Sequence, residues 1–470
     1  GFMYKNIYSD PGILCINYRR WDVVPKNPWS KPGHWLVQIG PTAALVCPGR
    51  NGNTKQFKGG FTMSIYEERL ARIQAAIALE PVDKVPMISG LAAGAAPMTH
   101  TKVSDFLKDM ELNCTCNLKA TAMLGNVDGV QATLASPEGL PALWLSNIGV
   151  PGEDIEDNQL WQVIEKELVT QDDYDIILRD GYGPWLQKFM KEKLRDPMKR
   201  MRPMVEYTPL ANQRFRDAGY VIVKDAYLTT PFEMLCGGRS MEAFLVDDLM
   251  EIPEKLDEVF AVIHKYNMEQ YIANFESPNK PFGAWVGGWR GTPETLNPEM
   301  FQRFTWKYFR ELVDLCIQYN VVPILHLDAC WDRGLTYFRD IPAKKAVMAL
   351  DGKTDIHLAK EIVGDTMCIM GDVPAAMLAF SKPQDVYDYT MNLIKTVGPT
   401  GYMVCSGCAI PFNGKVENMQ MMATARMQTH AAAKNTPFAV FSFKFFIFIV
   451  SSYDKAKGRG PVSGCRNPLL

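Results

Sequence analysis

Three polar side chains follow a buried strand in the second half of the chain. Residues 321–325 read VVPIL, an apolar and β-branched run typical of a strand buried on both faces. His326, Asp328 and Cys330 then follow at intervals of two. Alternate residues of a strand share one face, roughly 6.6 Å apart along it, so these side chains should point the same way. In parallel α/β folds, the carboxyl end of a strand is where the chemistry takes place.

A second apolar strand ends in thiols. Residues 401–405 read GYMVC, which places Cys405 at the strand end and Cys408 three residues later. Imidazole, carboxylate and thiolate groups are zinc ligands, so the two strand ends together predict a metal centre. The alternative is that the histidine is satisfied within the core and the cysteines are small buried hydrophobic residues.

The composition narrows the class of protein. The 470 residues are 47% hydrophobic and 22% charged, which is typical of a globular protein with a large core. The net charge of −2 gives no sign of a nucleic-acid-binding surface. The 11 cysteines are an odd number and are scattered, which favours reduced thiols in the cytoplasm over a disulfide framework. No apolar run reaches the ~18 residues of a membrane helix.

Strands and helices alternate along most of the chain. This alternation favours an α/β fold, a (β/α)8 TIM barrel, over an open doubly wound sheet, and no Gly-x-Gly-x-x-Gly motif follows a strand. A helical excursion over 155–218 is expected to be broken by its prolines, Pro184, Pro197, Pro203 and Pro209. The eight predicted strands are 85–89, 129–136, 220–225, 282–289, 321–327, 346–350, 367–370 and 401–405.

The two ends of the chain differ from this pattern. We expect a barrel domain over 63–434, preceded by an N-terminal extension over 1–62 and followed by an atypical tail over 435–470. The first segment is either an extension or an arm packed on the domain. Near the other end, Phe438–Val450 combines strong β-propensity with little charge and no proline, which is an aggregation-prone signature.

Several motifs, taken in order, resemble the uroporphyrinogen decarboxylase superfamily and, within it, the corrinoid-dependent methyltransferase branch. They are RIQAAIALEPVDKVPM (72–87), PFEMLCGGRSMEAFLVDDLMEIPEKLDEV (231–259), the His-x-Asp at 326–328, MCIMGDVPAAMLAFSKPQDVYDY (367–389) and VCSGCAIP (404–411). The resemblance implies a barrel that transfers a methyl group from a methylated corrinoid (cobalamin-type) protein to a small-molecule acceptor. The acceptor in that branch is tetrahydrofolate or coenzyme M.

The resemblance also implies a zinc site. Its His falls on His326 and its late Cys on Cys408, whereas its middle Cys falls on Asp328 in this chain. A carboxylate binds zinc but donates less charge than a thiolate, so Asp328, Cys330 and Cys405 all stay open as the third ligand. The less charge-donating Asp makes the zinc a stronger Lewis acid, which favours tetrahydrofolate over a thiol acceptor.

Other polar residues at strand ends complete the predicted site. We assign Asp351 and Asp372 as catalytic residues that would hold the pterin or supply a proton. Asp355, Arg290 and Trp289 are assigned as substrate-binding residues. For the aspartates the alternative is helix N-capping, which suits Asp355 best; for Arg290 it is pairing with a structural carboxylate.

Two other functions stay open. Uroporphyrinogen decarboxylase itself needs arginines to hold the carboxylates of its substrate, but the loop 87–96 reads MISGLAAGAA and has no arginine. The second alternative is a non-catalytic partner of a corrinoid protein that has lost its metal. It is favoured by Asp328, which stands where the family has a cysteine.

Overall fold

The computed structural model describes residues 63–427, which belong to one compact unit. The predicted extension over 1–62 and the predicted tail over 435–470 lie outside the described residues, and so does the stretch Phe438–Val450. The two domain boundaries therefore stay predictions. Within the described part, no helix is both long enough and apolar enough to cross a lipid bilayer.

Two parallel sheets form the centre of this unit. The strands are β1 (Ile88–Ser89), β2 (Gly129–Val130), β3 (Asn147–Gly149), β4 (Gln162–Ile164), β5 (Val221–Ile222), β6 (Ala226–Leu228), β7 (Gly283–Gly288), β8 (Val322–Leu327), β9 (Val347–Leu350), β10 (Cys368–Val373) and β11 (Tyr402–Ser406). The larger sheet has the order β11-β10-β9-β8-β7-β6, and the smaller has the order β1-β2-β5. Strands β3 and β4 form a separate antiparallel pair.

The two parallel sheets meet at both of their edges. On one side β5 leads into β6, and Asp225 donates its N–H to the Gly283 carbonyl at 3.1 Å. On the other side Met87 forms a parallel bridge with Val404, whose N–H donates to the Pro86 carbonyl at 2.8 Å. The parallel α/β architecture is thus present, and each of the eight predicted strands overlaps a strand of the structure. Closure into one continuous eight-stranded barrel stays a prediction.

Helices connect the strands. They are α1 (Ile65–Ile77), α2 (Ala95–Met98), α3 (Val103–Lys108), α4 (Met110–Leu124), α5 (Leu140–Trp144), α6 (Gln171–Asp180), α7 (Tyr182–Lys193), α8 (Pro197–Asp217), α9 (Pro231–Arg239), α10 (Met241–Ala243), α11 (Pro253–Phe275), α12 (Pro298–Met300), α13 (Lys307–Gln318), α14 (Ile356–Val363), α15 (Ala375–Phe380), α16 (Pro383–Thr396) and α17 (Val416–Ala425). Single-turn π-helical segments cover Phe244–Leu249 and Phe301–Trp306, and 3-10 helix covers Ala92–Gly94 and Asp332–Asp340.

The helical excursion differs from its prediction in two ways. Pro203 and Pro209, expected to break the helix, lie inside α8. Packing outweighs their low helix propensity, because α8 buries Ala211 and Phe215 completely in the core. The short antiparallel pair of β3 and β4 was also not predicted, since three-residue strands give too little alternation to detect.

Helix α1 closes the amino-terminal end of the strands. A capping box starts it, in which the Glu67 N–H donates to Ser64 Oγ and the Glu67 carboxylate accepts from the Ser64 N–H. Ile73 and Ile77 are buried in a core that also contains side chains from the starts of strands β5 and β11, such as Val221 and Met403. The helix therefore lies at the end of the sheet opposite to His326.

A buried ionic cluster ties the same end together. Asp128, fully buried before β2, accepts from Arg72 of α1 at 2.6 Å, from Arg426 after α17, and from the Met87 backbone N–H at 2.9 Å. The two ends of the described chain and the first two strands are thus joined at one carboxylate.

Replacing Asp128 by Ala should destabilise the fold by about 3–5 kcal/mol, because the buried guanidinium groups of Arg72 and Arg426 would lose the buried carboxylate that they share. Chemical denaturation measures the free energy of unfolding. The matched control is Asp83→Ala, which removes a carboxylate that also pairs with Arg72 but is 53% exposed; it should cost about 1 kcal/mol or less. Equal losses in the two variants would contradict the structural importance of Asp128.

Candidate active site

His326, Asp328 and Cys408 lie together at the carboxyl ends of the strands. His326 is in β8, Asp328 is the first residue after that strand, and Cys408 lies two residues beyond the end of β11. One nitrogen, one oxygen and one sulfur atom of these side chains all lie within 4.8 Å of one another, and His326 Nε2 is 3.2 Å from Asp328 Oδ1. Within the described residues, this is the group of histidine, cysteine and acidic side chains close enough to share a metal ion.

The electrostatics of this triad favour a positive charge at its centre. Burial alone lowers the pKa of His326, but hydrogen bonds with Asp328 and Cys408 outweigh it and raise the pKa to about 9. The imidazole therefore holds a proton between a carboxylate and a thiol, at the place where a metal ion would be bound.

The donor set fits zinc. An imidazole nitrogen, a carboxylate oxygen and a thiolate sulfur are the atoms that zinc binds, each about 2.0–2.3 Å from the ion, so the triad needs only small side-chain movements to hold one. The side chain of Asp328 is 25% exposed and Cys408 is exposed. Three protein ligands and an accessible surface are typical of a catalytic zinc site, which keeps one position for water or substrate.

The loop that carries Asp328 is held by the loop after β9. Asp351 accepts the Ala329 N–H at 3.2 Å, and its other carboxylate oxygen accepts the Lys353 N–H at 2.8 Å. Thr354 accepts the Trp331 N–H and donates to the Ala329 carbonyl. Trp331 is buried and donates its indole N–H to the Asp328 carbonyl at 2.8 Å. These bonds fix the backbone from the Asp328 carbonyl to Trp331.

A glycine allows Cys408 to reach the triad. A Cβ atom on Gly407 would lie 2.5 Å from the Asp351 carbonyl oxygen, closer than any side chain tolerates. The segment after β11 therefore passes directly over the loop after β9, and this close approach brings Cys408 beside His326.

The other cysteines considered as ligands lie outside the triad. Cys330 is in the loop after β8, and its backbone N–H donates to Glu294 at 3.1 Å. Cys405 is buried and accepts from the Gln131 side chain at 3.3 Å; burial raises the pKa of its thiol. Of the predicted metal ligands, the structure brings together His326, Asp328 and Cys408.

The predicted aspartates prove to have different surroundings. Both oxygens of Asp351 are used by backbone N–H groups, so its contacts are those of a positioning residue. Asp372 is buried and accepts from Tyr389 of α16 at 2.9 Å, and burial raises its pKa. Asp355 is the N-cap of α14, accepting from the His357 and Leu358 N–H groups. The capping alternative therefore describes Asp355, and Asp372 is directed at a surrounding helix.

Arg290 forms the structural pair that was its alternative. It is 1% exposed, its guanidinium lies 3.5 Å from Glu233 Oε2, and it stacks 4.1 Å above the Trp289 ring. Glu233 also accepts the backbone N–H groups of Arg290 and Gly291. Trp289 in turn packs edge-on against Trp144, with ring centroids 4.6 Å apart. These contacts make Arg290 and Trp289 part of the wall after β7.

Four residues near His326 were not identified from the sequence. The Trp285 ring lies 6.0 Å from the His326 ring, and Tyr227 lies 6.1 Å from Trp285. Lys224 contacts both Tyr227 and the Gln131 side chain. In the sequence, these residues could have been noticed from Lys224, which follows the apolar run 220–223, and from Gln131, which directly follows β2.

Replacing Asp351 by Ala should weaken metal binding about ten- to a hundredfold, the usual effect of losing a group that orients a ligand. Titration of the protein with Zn²⁺ or Co²⁺ measures this. Asp355→Ala is the matched control: it removes a carboxylate of the same loop that does not contact residues 328–331, and its metal affinity should be unchanged. Wild-type affinity in Asp351→Ala would contradict the positioning role.

Comparison with known proteins gives the family. The sequence profile described as Uroporphyrinogen decarboxylase (URO-D) matches residues 179–429, which is more than half of the chain. A relative named uroporphyrinogen decarboxylase, from Christiangramia forsetii, is 22% identical over 269 residues, covering 53% of this chain and 74% of its own. The structure of a methyltransferase from Methanosarcina mazei superposes with a TM-score of 0.58 at 16% identity, covering 77% of this chain and 98% of that one, which shows a shared fold. This chain belongs to the uroporphyrinogen decarboxylase family.

Proposed function

We propose that this protein is a methyltransferase that moves a methyl group from a methylated corrinoid protein to a small-molecule acceptor, tetrahydrofolate or a thiol such as coenzyme M. The observation that carries the proposal is the grouping of His326, Asp328 and Cys408 within 4.8 Å. The fold shared with the Methanosarcina mazei methyltransferase supports it. The partners are then a corrinoid protein and the acceptor, and the expected location is the cytoplasm.

Each residue of the site would have a distinct role in binding the metal or the acceptor. His326 and Asp328 come from one strand end and Cys408 from another, so that together they would hold a zinc ion. Bound zinc would act as a Lewis acid on the acceptor, lowering the pKa of a thiol or polarising a pterin. Asp351 and Thr354 keep the Asp328 loop in place. Trp285 is buried beside His326, with ring centroids 6.0 Å apart, and would form part of the wall of the acceptor site.

The charge of the ligand set favours one acceptor. With a neutral imidazole, one carboxylate and one thiolate, a zinc site would have a net charge near zero. A second thiolate ligand in place of Asp328 would donate more charge to the metal and would better activate a bound thiol. The less charge-donating carboxylate leaves the metal more Lewis-acidic, which favours tetrahydrofolate as the acceptor.

A second candidate is uroporphyrinogen decarboxylation, favoured by the name of the Christiangramia forsetii relative. That reaction needs cationic side chains for the carboxylates of a porphyrinogen. The loop after β1, residues 90–96, has no arginine, and Arg290 is buried against Glu233. A non-catalytic partner of a corrinoid protein is the third candidate, and the fit of the donor set to zinc weighs against it.

The test is a pair of assays on the full chain, zinc content and demethylation of methylcobalamin with each acceptor. His326→Ala, Asp328→Ala and Cys408→Ser should lose zinc and reduce the rate more than about a hundredfold, since they remove ligands of the ion. Cys330→Ser is the matched control, a nearby thiol outside the triad, and should retain both.

Full activity of His326→Ala or Cys408→Ser would contradict the proposed mechanism. Decarboxylation of a porphyrinogen by the wild-type protein, without methyl transfer, would establish the second candidate instead.

A further inference from the structure

A lysine extends into the site from the break between β5 and β6. Lys224 Nζ donates to Gln131 Oε1 at 3.1 Å, and Gln131 Nε2 donates to Cys405 Sγ at 3.3 Å. Lys224 Nζ also lies 5.0 Å from the centre of the Tyr227 ring. Both ends of the glutamine amide are thus used: Cys405 of β11 holds Gln131, and Gln131 and Tyr227 contact the ammonium group.

Lys224 lies outside the ion pairs formed by the described residues. Lys224 is half-buried, yet no carboxylate between residues 63 and 427 forms an ion pair with it. Lys255, which is also half-buried, is by contrast paired with Asp175 at 2.7 Å, and the buried Arg239 is paired with Asp248 at 2.6 Å. An ammonium group has three donors, and Gln131 accepts one of them.

Two aromatic rings connect Lys224 to the triad. Lys224 contacts Tyr227, the Tyr227 ring is 6.1 Å from Trp285, and the Trp285 ring is 6.0 Å from His326. Two tilted aromatic rings, the exposed Tyr227 and the buried Trp285, therefore lie between the ammonium group and the three donor atoms.

We propose that Lys224 and Gln131 form the subsite for an anionic end of the methyl acceptor, whose reacting atom lies at the triad. This inference rests on the proposed function and specifies its substrate: an acceptor with a carboxylate or sulfonate group. Charge-assisted hydrogen bonds from the ammonium group would bind the anion, and Trp285 and Tyr227 would contact the part of the acceptor between its two ends.

The test is equilibrium binding of paired probes to the zinc-loaded full chain, without any corrinoid. One pair is 2-mercaptoethanesulfonate and 2-mercaptoethanol; the other is tetrahydrofolate and 6-methyltetrahydropterin, which lacks the glutamate carboxylates. In at least one pair the charged probe should bind about ten- to a hundredfold more tightly than the neutral one. The pair that shows this difference identifies the anionic group of the acceptor as a sulfonate or a carboxylate.

Lys224→Met should remove most of this difference and leave the affinity for the neutral probe unchanged, whereas Lys224→Arg should retain it. The matched control is Lys307→Met, since Lys307 also lies over a tyrosine ring, at 5.1 Å from Tyr308, but is exposed on α13. It should bind like the wild type. Circular dichroism and zinc content verify that each variant is folded. If Lys224→Met does not fold, Gln131→Leu replaces it in the test and should weaken the binding of the charged probe alone.

Equal binding of charged and neutral probes, no binding of any probe, or an unchanged preference in Lys224→Met would overturn the inference. The proposed function can fail separately. If anion binding depends on Lys224 but no methyl transfer is found, the subsite is supported and the proposed methyltransferase function is contradicted. If methyl transfer is found but Lys224→Met does not change binding, the function is supported and the subsite is contradicted.

Discussion

Curvature of the six-stranded sheet is the constraint on which the site depends. Strands β8 and β11, which carry His326 and lead to Cys408, are separated in this sheet by β9 and β10. In a flat sheet, strands three positions apart lie about 14 Å from each other, yet the donor atoms lie within 4.8 Å. Two features close this distance. The sheet curves, as the bridge between Met87 and Val404 of the last strand indicates, and the segment at Gly407 passes over the loop after β9 and carries Cys408 to His326.

The two ends of the strands use charge in opposite ways. At the amino end, Asp128 is fully buried and its oxygens are satisfied by Arg72, Arg426 and the Met87 N–H. At the carboxyl end, Asp328 and Cys408 are accessible to solvent and lie beside the His326 imidazole. A closed cluster of matched charges stabilises a fold, whereas an accessible group of anionic donors can bind a cation.

The sequence was sufficient for features that depend on local composition. The strands are buried on both faces, so they appear as apolar runs, and the spacing of His326 and Asp328 placed both at one strand end. The two strand ends together predicted a metal centre, but the choice of Cys408 over Cys405 came from resemblance, because no local pattern links residues 82 positions apart. Lys224 was missed because the break between β5 and β6 interrupts the alternation of faces.

Tertiary contacts explain the remaining differences. Whether an aspartate at a strand end faces a substrate or a backbone N–H depends on the loop beside it, and for Asp351 that loop follows a different strand. Arg290 likewise meets Glu233 from α9, a partner 57 residues away in the sequence. Such partners become visible only once the chain is folded.

The identity of the metal ligands is the central claim, and X-ray absorption spectroscopy of the zinc-loaded full chain tests it most directly. We predict one sulfur ligand at about 2.3 Å, with the remaining ligands nitrogen or oxygen at about 2.0–2.2 Å. Two or more sulfur ligands would bring Cys330 or Cys405 into the site, and the absence of sulfur would exclude Cys408; either result would contradict a centre built from His326, Asp328 and Cys408.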